Sequence, residues 1–109
     1  MEIAFQTKSL RDVCESDEKL KRQFGDRVGE TIKGRLADLR AATSIRDVVA
    51  GSPREITRDG KPAMILDLDC GRAMTFRPNH LRMPLRADGS VDWAAVYRIK
   101  ILSIENADA

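Results

Sequence analysis

Two turn dipeptides, Asp59-Gly60 and Cys70-Gly71, cut the stretch 54–77 into three short runs of strand character at 54–57, 64–69 and 72–77. They follow a first half patterned for helices. An order of helices and then hairpins constrains the chain to an α+β fold. The stretch 54–86 also holds seven Arg or Lys against four Asp or Glu. A local excess of cations on a small sheet suits a polyanion, whereas the net charge of +2 is too small to argue nucleic-acid binding by itself.

A length of 109 residues fits one domain, 1–109, with a single core. Apolar residues at 42% and charged residues at 33% favour a folded domain over a disordered one. No run approaches the roughly 20 apolar residues of a membrane span, and the first ten residues lack the apolar core of a signal peptide. The expectation is a cytoplasmic protein without membrane association. Cys14 and Cys70 are far apart and have no Cys or His neighbours at metal-ligand spacing, so two buried free thiols and no metal are expected.

Along the chain, the alternation of Ile3 and Phe5 marks a first strand over 1–6. Ser9 with Asp12 reads as a helix start, with Leu10, Val13 and Cys14 on one face. Ser16 opens a second helix, in which Leu20 and Phe24 form an i, i+4 pair and which Gly25 ends. Asp26 can cap the longest helix, which presents Val28, Ile32, Leu36 and Leu39 inward and Arg27, Lys33, Arg35 and Asp38 outward. Gly29 and Gly34 inside it suggest close packing in a helical hairpin. Ser44 and Asp47 form a capping pair for a short helical turn, and 51–53 break the chain. Pro78 and Pro84 frame a loop, and Asp92 can cap a turn containing Trp93. The last strand, 97–104, sends Ile99 and Ile101 one way and Leu102 and Ile104 the other, as a central strand buried on both faces would.

Several side chains invite a functional reading beside a structural one. Arg72 shares strand parity with Met74 and Phe76, so it either packs its stem at the rim of the core and pairs with Asp67 or Asp69, or it binds phosphate. Lys61, Arg58 and Arg77 are singly ordinary surface charges, but phosphate affinity is a sum over several cations, and together with Arg54 and Arg82 they form a candidate RNA-binding set. His80, the only histidine, is either a surface residue or an acid/base. Trp93 and Tyr97 can stack on bases, although Trp93 on a short turn better fits a plug for the core edge.

The order of elements, with the phrases Arg35-Leu36-Ala37-Asp38-Leu39-Arg40-Ala41-Ala42, Asp67-Leu68-Asp69 followed by Arg72, and Pro84-Leu85-Arg86-Ala87-Asp88-Gly89 leading to Val91-Asp92-Trp93, resembles the RelE/ParE toxins. Within them it is most similar to the HigB-like plasmid-maintenance killer proteins of type II toxin–antitoxin systems. The resemblance implies an N-terminal strand and helical hairpin packed on a small, mainly antiparallel C-terminal sheet. It also implies cleavage of messenger RNA on the ribosome, without metal or cofactor, by attack of a ribose 2′-hydroxyl on the adjacent phosphate. A HigA-like helix-turn-helix antitoxin would be the partner, docking on the helices or over the active-site groove.

Carried over by position, Arg72 would bind the phosphate in the transition state and Lys61 the RNA backbone, with Glu55 at an acidic position and His80 a further acid or base. Arg54 stands where a histidine is frequent and Thr57 where a lysine is, and Glu105-Asn106-Ala107 lacks the usual Tyr or His. These departures motivate an alternative: a non-catalytic or gyrase-directed interaction module of the same fold.

Overall fold

The computed structural model describes residues 1–106. Strand β1 (Glu2–Phe5) leads to helix α1 (Lys8–Cys14) and helix α2 (Asp17–Ala41), and strands β2 (Arg54–Arg58), β3 (Lys61–Asp67), β4 (Arg72–Pro78) and β5 (Arg98–Asn106) complete one five-stranded sheet. Its strand order is β1-β5-β4-β3-β2. Pairing is antiparallel except between β1 and β5, which run parallel, so the expected α+β architecture carries a mixed sheet. The Ala107 position of the C-terminal triplet lies outside the described residues.

Helix α1 starts earlier than the Ser9 signal suggests. The hydroxyl of Thr7 accepts from the Leu10 N–H at 3.1 Å, which makes Thr7 the cap and puts Ser9 in the first turn. Ser16 caps α2 as expected, accepting from the Lys19 N–H. Gly25, at φ 86° and ψ 166°, breaks α2 into arms 17–24 and 26–41. The arms fold back on each other: Lys33 Nζ reaches Asp17 at 3.0 Å and Lys21 reaches Glu30 at 3.8 Å. A straight helix would hold residues sixteen apart at roughly 24 Å. A Cβ on Gly29 would stand 3.3 Å from the Leu20 backbone, so this glycine admits the close crossing, whereas Gly34 faces open space.

Both turn dipeptides lie where the sequence put them. Asp59 and Gly60 have φ of 54° and 73°, and Cys70 and Gly71 have 60° and 71°, the double left-handed geometry that matches strand twist in tight hairpins. Strand β3 nevertheless starts three residues before the expected position and stops at Asp67, because Leu68 and Asp69 enter the second turn. Cys70 is exposed rather than buried, and it occupies a conformation that only Gly, Asn and Asp adopt readily. Replacing Cys70 with asparagine should therefore stabilise the fold by about 1 kcal/mol, read as a higher urea midpoint at unchanged slope. An unchanged or lower midpoint would count against it. Cys14 is buried as expected, and desolvation pushes its thiol up to about 11 against the opposing influence of Arg40.

The core lies between the helices and one sheet face. Val28, Ile32, Leu36 and Leu39 of α2 join Met64, Leu66, Met74, Phe76, Ile99 and Ile101 in a single buried cluster. Trp93 closes one end of it, edge-on to Phe76 with ring centroids 6.4 Å apart, and its indole N–H donates to Glu55. That is the plug expected from its short turn. Asp92 precedes the turn without a side-chain capping bond, whereas Ser44 and Asp47 form the full capping box.

Strand β5 departs from simple alternation. Thr75 pairs with Ser103 and Phe76 with Ile101, which leaves Leu102 as an extra residue in a bulge. The bulge reverses parity. Ile104 therefore pairs with Met74 and packs on the same core as Ile101, rather than facing the opposite way, while β5 lies inside the sheet between β1 and β4, as expected of a central strand.

Candidate functional site: a cationic concave sheet face

The face of the sheet away from the helices can be read from register. Arg54 pairs with Ile65, Ile65 with Thr75 and Thr75 with Ser103. By alternation the same face carries Ile56 and Arg58 of β2, Lys61 and Ala63 of β3, Ala73 and Arg77 of β4, and Lys100 and Glu105 of β5. Ile65 is buried yet stands outside the main core cluster, as a residue of this second face should.

The face is concave. Neighbouring strands lie about 4.8 Å apart, so β2 and β5 would be separated by roughly 14 Å across a flat sheet. Glu105, level with Asp67 through Ala73, would lie a further six residues or roughly 20 Å along it from the Lys61 partner of Arg58, beyond the reach of the two side chains. Arg58 of β2 nonetheless forms a two-pronged ion pair with Glu105 of β5, at 3.0 and 2.8 Å. Only a sheet curled about β3 and β4 permits that contact. The strands beneath carry Ala63, Ala73 and Thr75, all with no exposed surface, whose small size lets long side chains lie across them.

Glu105 is held from two sides. Its carboxylate can only accept, so the Ser103 hydroxyl donates to it at 2.8 Å. The 2.6 Å contact between Thr75 and Ser103 must then have Thr75 as donor. A chain of Thr75, Ser103, Glu105 and Arg58 thus fixes one carboxylate in the middle of the face. The Arg58 hydrogen bonds, seconded by Ser103, keep its pKa below the usual carboxylate range despite partial burial.

Beside this chain is a cleft of about 360 Å³ lined by Gln6, Arg58, Asp59, Arg77, Leu102, Ser103 and Glu105. Arg77 lines this cleft, and its Nε atom is buried and has no hydrogen-bond partner among the described residues. A buried donor without a protein acceptor is uncommon in folded proteins, and a guanidinium so placed has donor capacity left for an anion. Lys100 is the cross-strand neighbour of Arg77, and Lys61 that of Arg58.

The residues singled out from sequence divide between this face and other places. Arg58, Arg77 and Lys61 come together on it. Arg54 lies on the same face at the other end of β2, paired with Asp67 at 3.0 Å. Arg72 lies on the helix-facing side, its guanidinium over the Phe24 ring at 5.5 Å from the centroid. Asp67 and Asp69, its expected partners, pair instead with Arg54 and Arg27. Arg82 is exposed in the loop after β4. The outward stripe of the long helix is not wholly solvated, since Arg27, Thr31 and Arg35 bind Asp69 and the Asp67 carbonyl at the β3–β4 turn.

His80 ties its loop to the start of β5. Its Nε2 accepts from the backbone N–H groups of Tyr97 at 3.2 Å and Arg98 at 3.3 Å, so the neutral ring carries its proton on Nδ1. Exposed Tyr97 meets the imidazole edge-on, with ring centroids 4.5 Å apart, and the Arg98 guanidinium lies over its ring at 5.5 Å from the centroid. Burial first, and then the charge of Arg98, hold the His80 pKa below its ordinary 6.5. Protonation consumes the accepting lone pair. The contribution to stability is therefore complete above the unfolded value and is lost as pH falls through the lower folded value. Acidification below pH 6.5 should shift the Tyr97 and Arg98 amide resonances together with the His80 ring signals. Amides that stay fixed while the ring titrates would refute this role.

Sequence reasoning missed Glu105, Ser103 and Thr75 as members of the site. The i, i+2 spacing of Ser103 and Glu105 was legible, but their meeting with Thr75 of β4 and Arg58 of β2 depends on a register and a curl that no local pattern encodes. Among the described residues, no helix is long and apolar enough to cross a membrane. No protein-family model matches the chain, and neither a curated protein nor a solved structure matches it.

Proposed function

We propose that this chain is a RelE/ParE-like toxin that binds messenger RNA through the concave sheet face and cleaves it on the ribosome, restrained in the cytoplasm by a HigA-like helix-turn-helix antitoxin. The observation that carries the reading is a cleft lined by both Arg58 and Arg77, the second with a buried Nε that has no acceptor among the described residues. Guanidinium groups suit phosphate because their planar donors can engage two oxygens at once. Lys61 and Lys100 on the same face extend the cationic track to neighbouring phosphates. The order of a first strand, a helical hairpin and a C-terminal sheet agrees with the same reading.

A second reading, an interaction module without nuclease activity, is favoured by one observation. His80 and Arg72, the acid/base and transition-state candidates named from sequence, are engaged in a backbone clasp and on the Phe24 ring, away from the cleft. Induced expression in a bacterial host, with and without the gene beside it, followed by mapping of messenger RNA ends, separates the two. New ends inside translated codons, cancelled by the neighbouring gene and reduced by Arg77→Ala, are the expected result. Growth arrest with intact messages would move the weight to the interaction module, and absence of arrest would overturn the toxin reading.

A further inference from the structure

We propose that Glu105 is an internal competitor for the phosphate site: its carboxylate occupies the Arg58 fork in the free protein, and an RNA phosphodiester entering between Arg58 and Arg77 displaces it. The inference rests on the concave face being the RNA-binding face. It goes beyond that reading by assigning the site an occupant that must leave.

Three features carry it. Glu105 uses both of its oxygens on the two terminal nitrogens of Arg58, the same pairing that a guanidinium makes with two phosphate oxygens. The carboxylate and a bound phosphate therefore need the same donors. Next, the pair remains accessible: the side chains of Arg58 and Glu105 are 38% and 28% exposed, in the regime where ion pairs are weak enough to be exchanged. Last, the Arg77 Nε beside them lacks an acceptor that Glu105 does not supply, so the carboxylate satisfies only one of the two guanidinium groups. A phosphate bridging both would satisfy the second as well.

The Thr75 and Ser103 hydroxyls set how firmly the competitor is held. Ser103 donates to the same oxygen of Glu105 that the Arg58 Nη1 engages, and Thr75 orients Ser103 from beneath. When the carboxylate swings outward, Arg58 is released and Ser103 loses its acceptor. A phosphate oxygen can replace it, which makes the Ser103 hydroxyl a contact shared by the two states.

The test is binding of a fluorescently labelled oligouridylate, read by anisotropy at low salt, to the wild-type chain and to Glu105→Gln, Ser103→Ala and Arg77→Ala, each checked for an intact thermal transition. Glu105→Gln keeps the size of the side chain and removes one like charge from beside the phosphate, so it should tighten binding about three- to tenfold. Ser103→Ala, which loosens the carboxylate without removing its charge, should give a smaller change than Glu105→Gln. If the wild type binds and Arg77→Ala weakens it, but Glu105→Gln binds no better than wild type, the competitor role is overturned while the RNA-binding face stands. If neither the wild type nor Glu105→Gln binds, the RNA-binding reading falls and the competitor role with it. Binding by Glu105→Gln alone would be the strongest support for both.

Discussion

Replacing Phe76 with alanine should destabilise the fold by about 3–5 kcal/mol, the range for emptying a fully buried aromatic position. Phe76 has no exposed surface, sits on the middle strand between Met64 of β3 and Ile101 of β5, and takes the edge contact with Trp93. Its removal opens a cavity where the sheet, the helices and the Trp93 plug converge, and a rigid sheet cannot collapse to fill it. Globular domains are stable by only about 5–15 kcal/mol, so the loss is a large fraction of the total. At about 4–8 °C per kcal/mol for a domain near this size, the thermal midpoint should fall by more than about 12 °C. Near-ultraviolet circular dichroism should lose the Trp93 signal in the same transition. A shift of only a few degrees would mean that the sheet and helices do not share one cooperative core.

The double substitution Arg58→Ala with Arg77→Ala should reduce affinity for single-stranded RNA by about 10- to 100-fold at moderate salt and lower the salt slope by about 1.4, two phosphate contacts at roughly 0.7 each. This expectation rests on the proposed RNA-binding face, and the salt slope is its sharper readout, because a merely structural effect would lower affinity without changing the number of counterions released. Arg72→Ala is the informative comparison. Its guanidinium lies over Phe24 on the opposite side of the sheet, so the substitution should leave the salt slope near that of the wild type. Equal loss of slope from Arg72→Ala would relocate the nucleic-acid contact to the helix-facing rim. The double variant leaves Glu105 with only Ser103 as partner, a small effect on folding because the group is partly solvated.

Much of the fold is legible locally because the features that specify it act over a few residues. The apolar positions Val28, Ile32, Leu36 and Leu39 mark the buried stripe of the long arm, Gly25 marks the break, and Asp59-Gly60 and Cys70-Gly71 mark the hairpin turns. Each rests on backbone sterics or helical periodicity, which neighbours in sequence determine between themselves. The Ser44–Asp47 box belongs to the same class, since both partners sit within one turn.

The candidate site was legible only in part. The cationic character of 54–86 and the candidacy of Arg58, Arg77 and Lys61 follow from composition, but Arg58 and Lys61 fall outside the expected strands, so it is the observed register that puts the three on one face. Arg72 has the parity of the core-facing residues, so its place on the helix-facing side was available from alternation, although its contact with Phe24 was not. His80 carried no local signal, because the two N–H groups it accepts belong to Tyr97 and Arg98, seventeen and eighteen residues away.

Tertiary structure decided three matters that local chemistry leaves open. The Leu102 bulge turned Ile104 back toward the core, because the register of β5 answers to its partner β4 and not to the alternation of its own side chains. The parallel pairing of β1 with β5 joined the two ends of the chain in one sheet, a long-range contact that neither strand specifies alone. The curl of the sheet brought Arg58 against Glu105, forty-seven residues apart, and left Arg77 unsatisfied beside them. By itself the sequence determined which residues are cationic, which turn and which form the buried stripe of the long helical arm. Which cations share a cleft was settled only by the twist and curl that accumulate across several paired strands, a property of the assembled sheet and of no segment within it.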